Sequence, residues 1–249
     1  NDVDEDRGTY ASVRGSIPDY PVKTLKKAYE LLATRGGGTI YVVNNPIEVE
    51  GMITLAGSYY SGNGKSVYLP STRTVNIIRY VQPDFADGKS VEYFRTEDYQ
   101  GVLVHVNGGS ELKVTESVYF DGHRNPKVTE KNADGDVYSL PKEIYVSTKE
   151  NQALAAMVQV DNNGNLKLDG DVTLLDNLNN SPNGDPTAGT TKGGAIANLV
   201  SVTAENEVLF TNNFALNGGA FYNHPDGTVE TYPGVQFTEN QALYGGVFY

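Results

Sequence analysis

The sequence predicts an all-β protein wound as a parallel β-helix, a solenoid of stacked coils entered through one N-terminal capping α-helix. Three observations predict it. Short runs rich in Val, Ile, Tyr and Phe follow one another with no crossover helix between them, which excludes a doubly wound α/β fold. Glycine at 27 and tyrosine at 17 of 249 residues, with no tryptophan, favour turns and strands over helices. Three segments in the C-terminal half superpose residue for residue, and a repeat of that length is too short to enclose a core alone.

The elements follow in order. Residues 1–14 are acidic and poor in apolar side chains, a composition that cannot offset the entropy of ordering, so they read as a tail or linker. Residues 15–249 read as a single domain, with an N-terminal cap over 15–37 and coils over 38–249. In the cap, Asp19 and Pro21 supply helix-start chemistry, and Val22, Leu25, Tyr29 and Leu32 recur at steps of three and four. Gly36 to Gly38 stop the helix. Lys23, Lys26 and Lys27 fall off the apolar stripe and form a solvated face. The stripe suits a plug over the open end of a β structure. Strands are then expected at Thr39–Val43, from Ile47, Ile53, Ser66, Thr74 and Val102, and from Glu111.

The repeat gives the solenoid its detail. VTLLDN from Val172, VLFTNN from Val208 and VQFTEN from Val235 align Val172, Leu174 and Asn177 with Val208, Phe210 and Asn213, and with Val235, Phe237 and Asn240. A Gly-Gly step follows each: Gly193 and Gly194, Gly218 and Gly219, Gly245 and Gly246. The asparagines are expected to stack as a ladder of side-chain amides, and the glycine pairs to form corners with positive φ and close backbone approach. These nine residues read as scaffold. The segment Asn107–His123 matches Asn162–Asn177 at twice the final spacing, which predicts one unit between them, a period of about 27 residues and roughly eight coils.

At these residues the chain resembles a known family. FTNN with GGAFYN, and FTEN with GGVFY, resemble the paired FxxN and GGA(I/L/V) repeats of polymorphic-membrane-protein-type β-helix adhesins and autotransporter passengers. Upstream, GGGTIYVV, TVNIIRYV and GGSELKVTESVYFDGH are similar to the first coils of pectate-lyase-like domains in large bacterial surface proteins. The resemblance covers most of Val22 to Tyr249. It implies a right-handed β-helix, an extracellular or bacterial cell-surface location, a host or matrix glycan or protein as partner, and no catalysis in the repeats.

Charge and composition narrow the chemistry. A net charge of −12 repels phosphate backbones and anionic lipid, so nucleic acid is not an expected partner. Zero cysteines remove disulfides, thiolate metal sites and cysteine nucleophiles together. No apolar run is long enough to span a membrane as a helix. The carbohydrate enzymes that share the solenoid need clustered carboxylates. The best local cluster, Asp121, His123 and Arg124, reads first as a turn. Asn132, Asp134 and Asp136 form a poor calcium-loop match, with Glu143 out of register. His105 and His224 join no metal-ligand set, and Asp161–Asn165 reads as a tight turn. No catalytic residue, cofactor or metal is expected.

Binding residues are sought among the tyrosines. Tyr59 and Tyr60 in GSYYSGNG, with Tyr68, lie in a polar glycine-rich stretch where rings stay exposed and stack on sugar or a protein partner. The insertions Phe85–Tyr99, Pro126–Glu150 and Ser181–Lys192 decorate the rod. GGVFY stops in mid-repeat, so the natural chain is expected to continue, and an unpaired last coil favours end-to-end self-association.

Overall fold

The computed structural model describes residues 22–35, 38–43, 45–80, 99, 101–122, 155–179 and 192–249. Helix α1 spans Leu25–Arg35. It begins where Thr24 Oγ1 accepts from the Lys27 N–H at 3.2 Å, satisfying one of the free donors of the first turn. The start is therefore later than Asp19 and Pro21 suggest, because Val22 to Thr24 are not helical. Leu25, Tyr29 and Leu32 are buried, as their spacing predicts. Lys26 pairs with Glu30, and Lys27 lies 3.4 Å from the same carboxylate. The Lys26 hydrogen bond, with the charges of both lysines, holds the Glu30 carboxyl below its usual range.

The other regular elements among the described residues are strands. In chain order they are β1 (Gly38–Val42), β2 (Ile47–Val49), β3 (Met52–Leu55), β4 (Tyr59–Gly62), β5 (Lys65–Tyr68), β6 (Val75–Arg79) and β7 (Val104–Val106). There follow β8 (Glu111–Thr115), β9 (Val118–Asp121), β10 (Val158–Val160), β11 (Asn165–Asp169), β12 (Val172–Leu175), β13 (Leu178–Asn179) and β14 (Ile196–Asn198). The last are β15 (Ser201–Glu205), β16 (Val208–Thr211), β17 (Phe214–Asn217), β18 (Phe221–Asn223), β19 (Thr228–Thr231), β20 (Gln236–Thr238) and β21 (Gln241–Tyr244). Sheet one runs β1-β6-β9-β12-β16-β20, and sheet two runs β2-β7-β10-β14-β18. Sheet three runs β5-β4-β3-β8-β11-β15-β19, and sheet four runs β13-β17-β21. Among the described strands, pairing is parallel except in the β3-β4-β5 meander. The protein is all-β, with parallel sheets and one helix among the described residues.

The chain visits these sheets in a fixed cycle of one, two, three and back to one, with sheet four entering between one and two from β13 onward. Inward residues therefore superpose. Val75, Val118, Val172 and Val208 form one column, and Ile77, Phe120, Leu174, Phe210 and Phe237 the next. All but Phe237 are fully buried. Each such side chain contributes about 1.5–3 kcal/mol of burial free energy. Helix α1 packs against β1 and the β4-β5 hairpin, the terminal strands of sheets one and three. There the Tyr29 ring lies 5.7 Å from that of Tyr60, and its hydroxyl donates to Ala56 O at 3.2 Å.

Register corrects the expected period. Val118 pairs directly with Val172, and Leu112 with Leu166, so no unit lies between them. The 27-residue spacing holds only for the last step, as between Thr211 and Thr238. The preceding step spans 36 residues and the one before it 54. Sheet one accordingly has six strands among the described residues, and not the eight that a uniform period requires. Strand-to-strand hydrogen bonding fixes the pitch, whereas chain length per circuit is free to vary in the connections.

The repeat asparagines stack as a ladder in which backbone N–H groups join the side-chain amides, and of each glycine pair the first takes positive φ. Asn177 N–H donates to Asn213 Oδ1 at 3.3 Å, and Asn213 donates from N and Nδ2 to Asn240 Oδ1 at 3.1 and 3.0 Å. Their amides also satisfy carbonyls, Asn213 to Leu174 O and Asn240 to Phe210 O. The residue before each, Asp176, Asn212 and Glu239, takes φ between 54° and 56°, the bend that sends the chain from sheet one to sheet four. Gly193, Gly218 and Gly245 have φ of 77°, 71° and 63°. Their partners Gly194 and Gly219 meet the next circuit's backbone, where an added Cβ would fall 1.9 and 2.1 Å from a carbonyl oxygen. A second ladder was not singled out from sequence: Asn198 Nδ2 donates to Asn223 Oδ1 at 2.6 Å.

The first ladder ends on a buried cation. Arg79, fully buried, donates to Gly101 O, Gly122 O and Ala155 O at 3.0 to 3.2 Å, and to Asn177 Oδ1. Gly122 leaves the necessary room, since a Cβ there would lie 2.5 Å from Asn177 Cα. Burial pushes the Arg79 pKa down to about 10, against the opposing charges of Tyr99 and Asp121.

Burial also gives the fold an alkaline limit. It raises the pKa of Tyr29, and that of Tyr99 to about 12, so both keep their protons in the fold where an unfolded chain releases them near pH 10. The unfolded state then binds fewer protons, and stability falls as pH rises above about 10. Arg79 acts with the opposite sign there, because its folded pKa lies below the unfolded one. Tyr29→Phe is expected to flatten the decline by up to about 1.4 kcal/mol per pH unit between pH 10 and 12. Urea midpoints at pH 8, 10 and 11 check it, and a slope equal to that of the parent chain contradicts it.

Candidate functional site

The candidate site arises where the described strands depart from parallel order. The stretch GSYYSGNG, expected as an exposed polar segment, is instead strand β4 and its turn. Asn63 and Gly64 take φ of 51° and 71°, the left-handed pair of a tight two-residue hairpin. Asn-Gly between two β runs was the available sequence signal, obscured by the surrounding glycine and serine. Alternation along β4 then divides the tyrosines. Tyr60 turns inward onto Tyr29 and is 5 % exposed, which corrects the expectation of an exposed ring there. Its burial raises its pKa, with Lys26 acting in the opposite direction.

Tyr59 and Tyr68 face outward as a directly opposed cross-strand pair. Their ring centroids are 6.0 Å apart with planes inclined by 34°, and Tyr68 is 72 % exposed. Beside them, Ser66 and Ser61 are opposed in the same register, Ser66 Oγ donating to Ser61 Oγ at 3.1 Å. Thr54 on β3 is next in the row. Met52, 74 % exposed, lies on the same outer face. Two tilted rings next to hydroxyls offer π faces for stacking and donors and acceptors at their edge.

The other sequence candidates are placed as follows. Asp121 ends β9 with a half-exposed side chain, while His123 and Arg124 lie outside the described residues. So do Asn132, Asp134, Asp136 and Glu143, and the three insertions apart from Tyr99 and Lys192. Asp161–Asn165 is a turn, Gly164 N–H donating to Asp161 O at 2.8 Å. His224 sits in a turn beside Asp226.

Strand register reveals a cluster that linear spacing hides. His105 on sheet two lies between two carboxylates, Nδ1 2.9 Å from Glu48 Oε2 and Nε2 2.9 Å from Asp161 Oδ2. The second contact is close but too poorly aligned for a hydrogen bond, so Nε2 is buried without a hydrogen-bond partner. Asn107 Nδ2 donates to Glu48 and Gln159 Nε2 to Asp161. Among the described residues, no group of three or more His, Asp and Glu side chains is arranged to hold a metal ion. No helix among them is long and apolar enough to cross a membrane.

Comparison with family models, curated proteins and solved structures returns no match.

Proposed function

We propose that the chain is a right-handed parallel β-helix acting as a non-catalytic, adhesin-like binding scaffold on a bacterial cell surface. The cyclic order of sheets one, two and three supports the winding, since each return to a sheet adds one parallel strand beside the last. The strong right-handed preference of parallel β connections supplies the hand. The extracellular bacterial setting rests on the repeat resemblance. The observation that carries the binding role is the outward Tyr59–Tyr68 pair on a hairpin braced from within by Tyr60, Tyr29 and the helix. An outward aromatic pair, Tyr68 exposed and Tyr59 partly buried, on a braced hairpin suits a host or matrix glycan or protein.

A panel of immobilised glycans and matrix proteins tests this, with the parent chain and Tyr68→Ala read side by side. Binding to at least one class is expected. Silence across the panel overturns the binding role and leaves a spacer. Turnover of a glycan by the purified chain overturns the non-catalytic reading.

A further inference from the structure

Resting on that binding role, we infer that the outer face of sheet three is a track for an extended, uncharged glycan lying across the strands. The Tyr59–Tyr68 pair flanks it on β4 and β5, where the row begins. The track follows from register. Ser66 opposes Ser61, Ser61 opposes Thr54, and Thr54 is aligned with Lys113, Lys167, Thr203 and Glu230 in turn. These side chains alternate with buried neighbours on β3, β8, β11 and β15, so they share the solvent face. Seven strands at ~4.8 Å give a row of about 29 Å. Its first three members are hydroxyls, and a fourth follows at Thr203.

Charge selects the class of ligand. Lys113 and Lys167 are adjacent in the row, which taken alone suggests an anionic chain. Each already has a carboxylate, Lys167 Nζ 2.8 Å from Glu111 Oε2 and Lys113 Nζ 3.6 Å from Asp169 Oδ2. Asn165 Nδ2 also donates to Glu111, at 2.8 Å. The face is therefore polar with locally balanced charge, on a protein of net charge −12. A polyanion would have to displace those carboxylates and approach an acidic molecule. An uncharged polysaccharide exchanges hydrogen bonds with hydroxyls and ammonium groups and places the C–H face of a pyranose on a tyrosine ring. An extended ribbon matches a row that crosses seven strands in register.

The experiment uses the full chain and uncharged β-1,4-linked gluco-oligosaccharides of two to six units, with oligogalacturonates of equal length as the charged counterpart. Calorimetric affinity is expected to rise with length over the uncharged series and to change little between 50 and 500 mM salt. Tyr68→Ala is expected to weaken the longest oligomer about tenfold. Thr54→Val, in the row one strand beyond the hairpin that carries the rings, is expected to weaken long oligomers more than the dimer. Tyr68 is largely exposed, so an unchanged melting curve verifies that its variant folds. Affinity independent of length, indifference to Tyr68→Ala, or tighter and salt-sensitive binding of the oligogalacturonates each overturns the track. Absence of binding by the gluco-oligosaccharides also overturns it. A panel ligand bound equally by parent, Tyr68→Ala and Thr54→Val then preserves the scaffold's binding role while removing this site. Panel silence removes both.

Discussion

Arg79→Met is expected to destabilise the protein by about 3–5 kcal/mol, the cost of stripping the cation from a buried polar network. The guanidinium reaches three backbone carbonyls and one amide oxygen, from Gly101, Gly122, Ala155 and Asn177. Methionine fills much of the space and donates to none of them. Each buried acceptor left without a donor costs about 1–3 kcal/mol, partly offset because a charge is no longer held out of water. For a chain of this size the melting temperature is expected to fall by roughly 10 °C. Arg79→Lys is expected to recover only part of the loss, since an ammonium on a linear stem lacks the planar fork that spans the acceptors. Urea unfolding measures both variants. A loss below about 1 kcal/mol for Arg79→Met contradicts the assigned role.

The second large effect separates two glycines that the sequence writes identically. Gly219→Ala is expected to cost about 2–3 kcal/mol, because the new Cβ would lie 2.1 Å from Gly246 O and 2.8 Å from Gln241 N. Both are backbone atoms of the adjoining circuit, tied by the Gly219 N–H to Gly245 O bond and by Gln241 N–H to Asn213 O. They cannot yield without breaking the stack. Gly246→Ala in the 249-residue chain meets nothing within 4 Å and is expected to stay within about 0.5 kcal/mol of the parent. Equal losses at the two positions would show that local backbone conformation, and not the approach of adjoining circuits, governs the requirement.

Residues that repeat in sequence were the readable part of the molecule. Asn177, Asn213 and Asn240 could be paired on paper because a column in space is also a column in an alignment, and the same holds for the glycine pairs. Arg79 broke the column. Its partners are mostly backbone carbonyls, which leave no compositional trace, although its parity with Val75 and Ile77 pointed it inward. The 54-residue offset misled for a related reason. Arithmetic on spacing assumes equal circuits, and Val118 stacks on Val172 irrespective of the chain between them. At the candidate site, Tyr68 was legible as exposed, but Tyr60 was assigned to the wrong face because β4 was read as a loop. The carboxylates flanking His105 lie 57 and 56 positions away along the chain, and only strand register brings them together.

Arg79 also ties together places that diverge along the polypeptide. Gly122 and Ala155 flank residues 123–154, and Arg79 and Gly101 flank residues 80–100, yet one guanidinium holds all these positions at a single corner. The bonds at that corner do not depend on the length of either interval, much as a purse-string closes a bag whatever its contents. The lengths of those two intervals can therefore change over evolution while the architecture around the guanidinium is inherited unchanged.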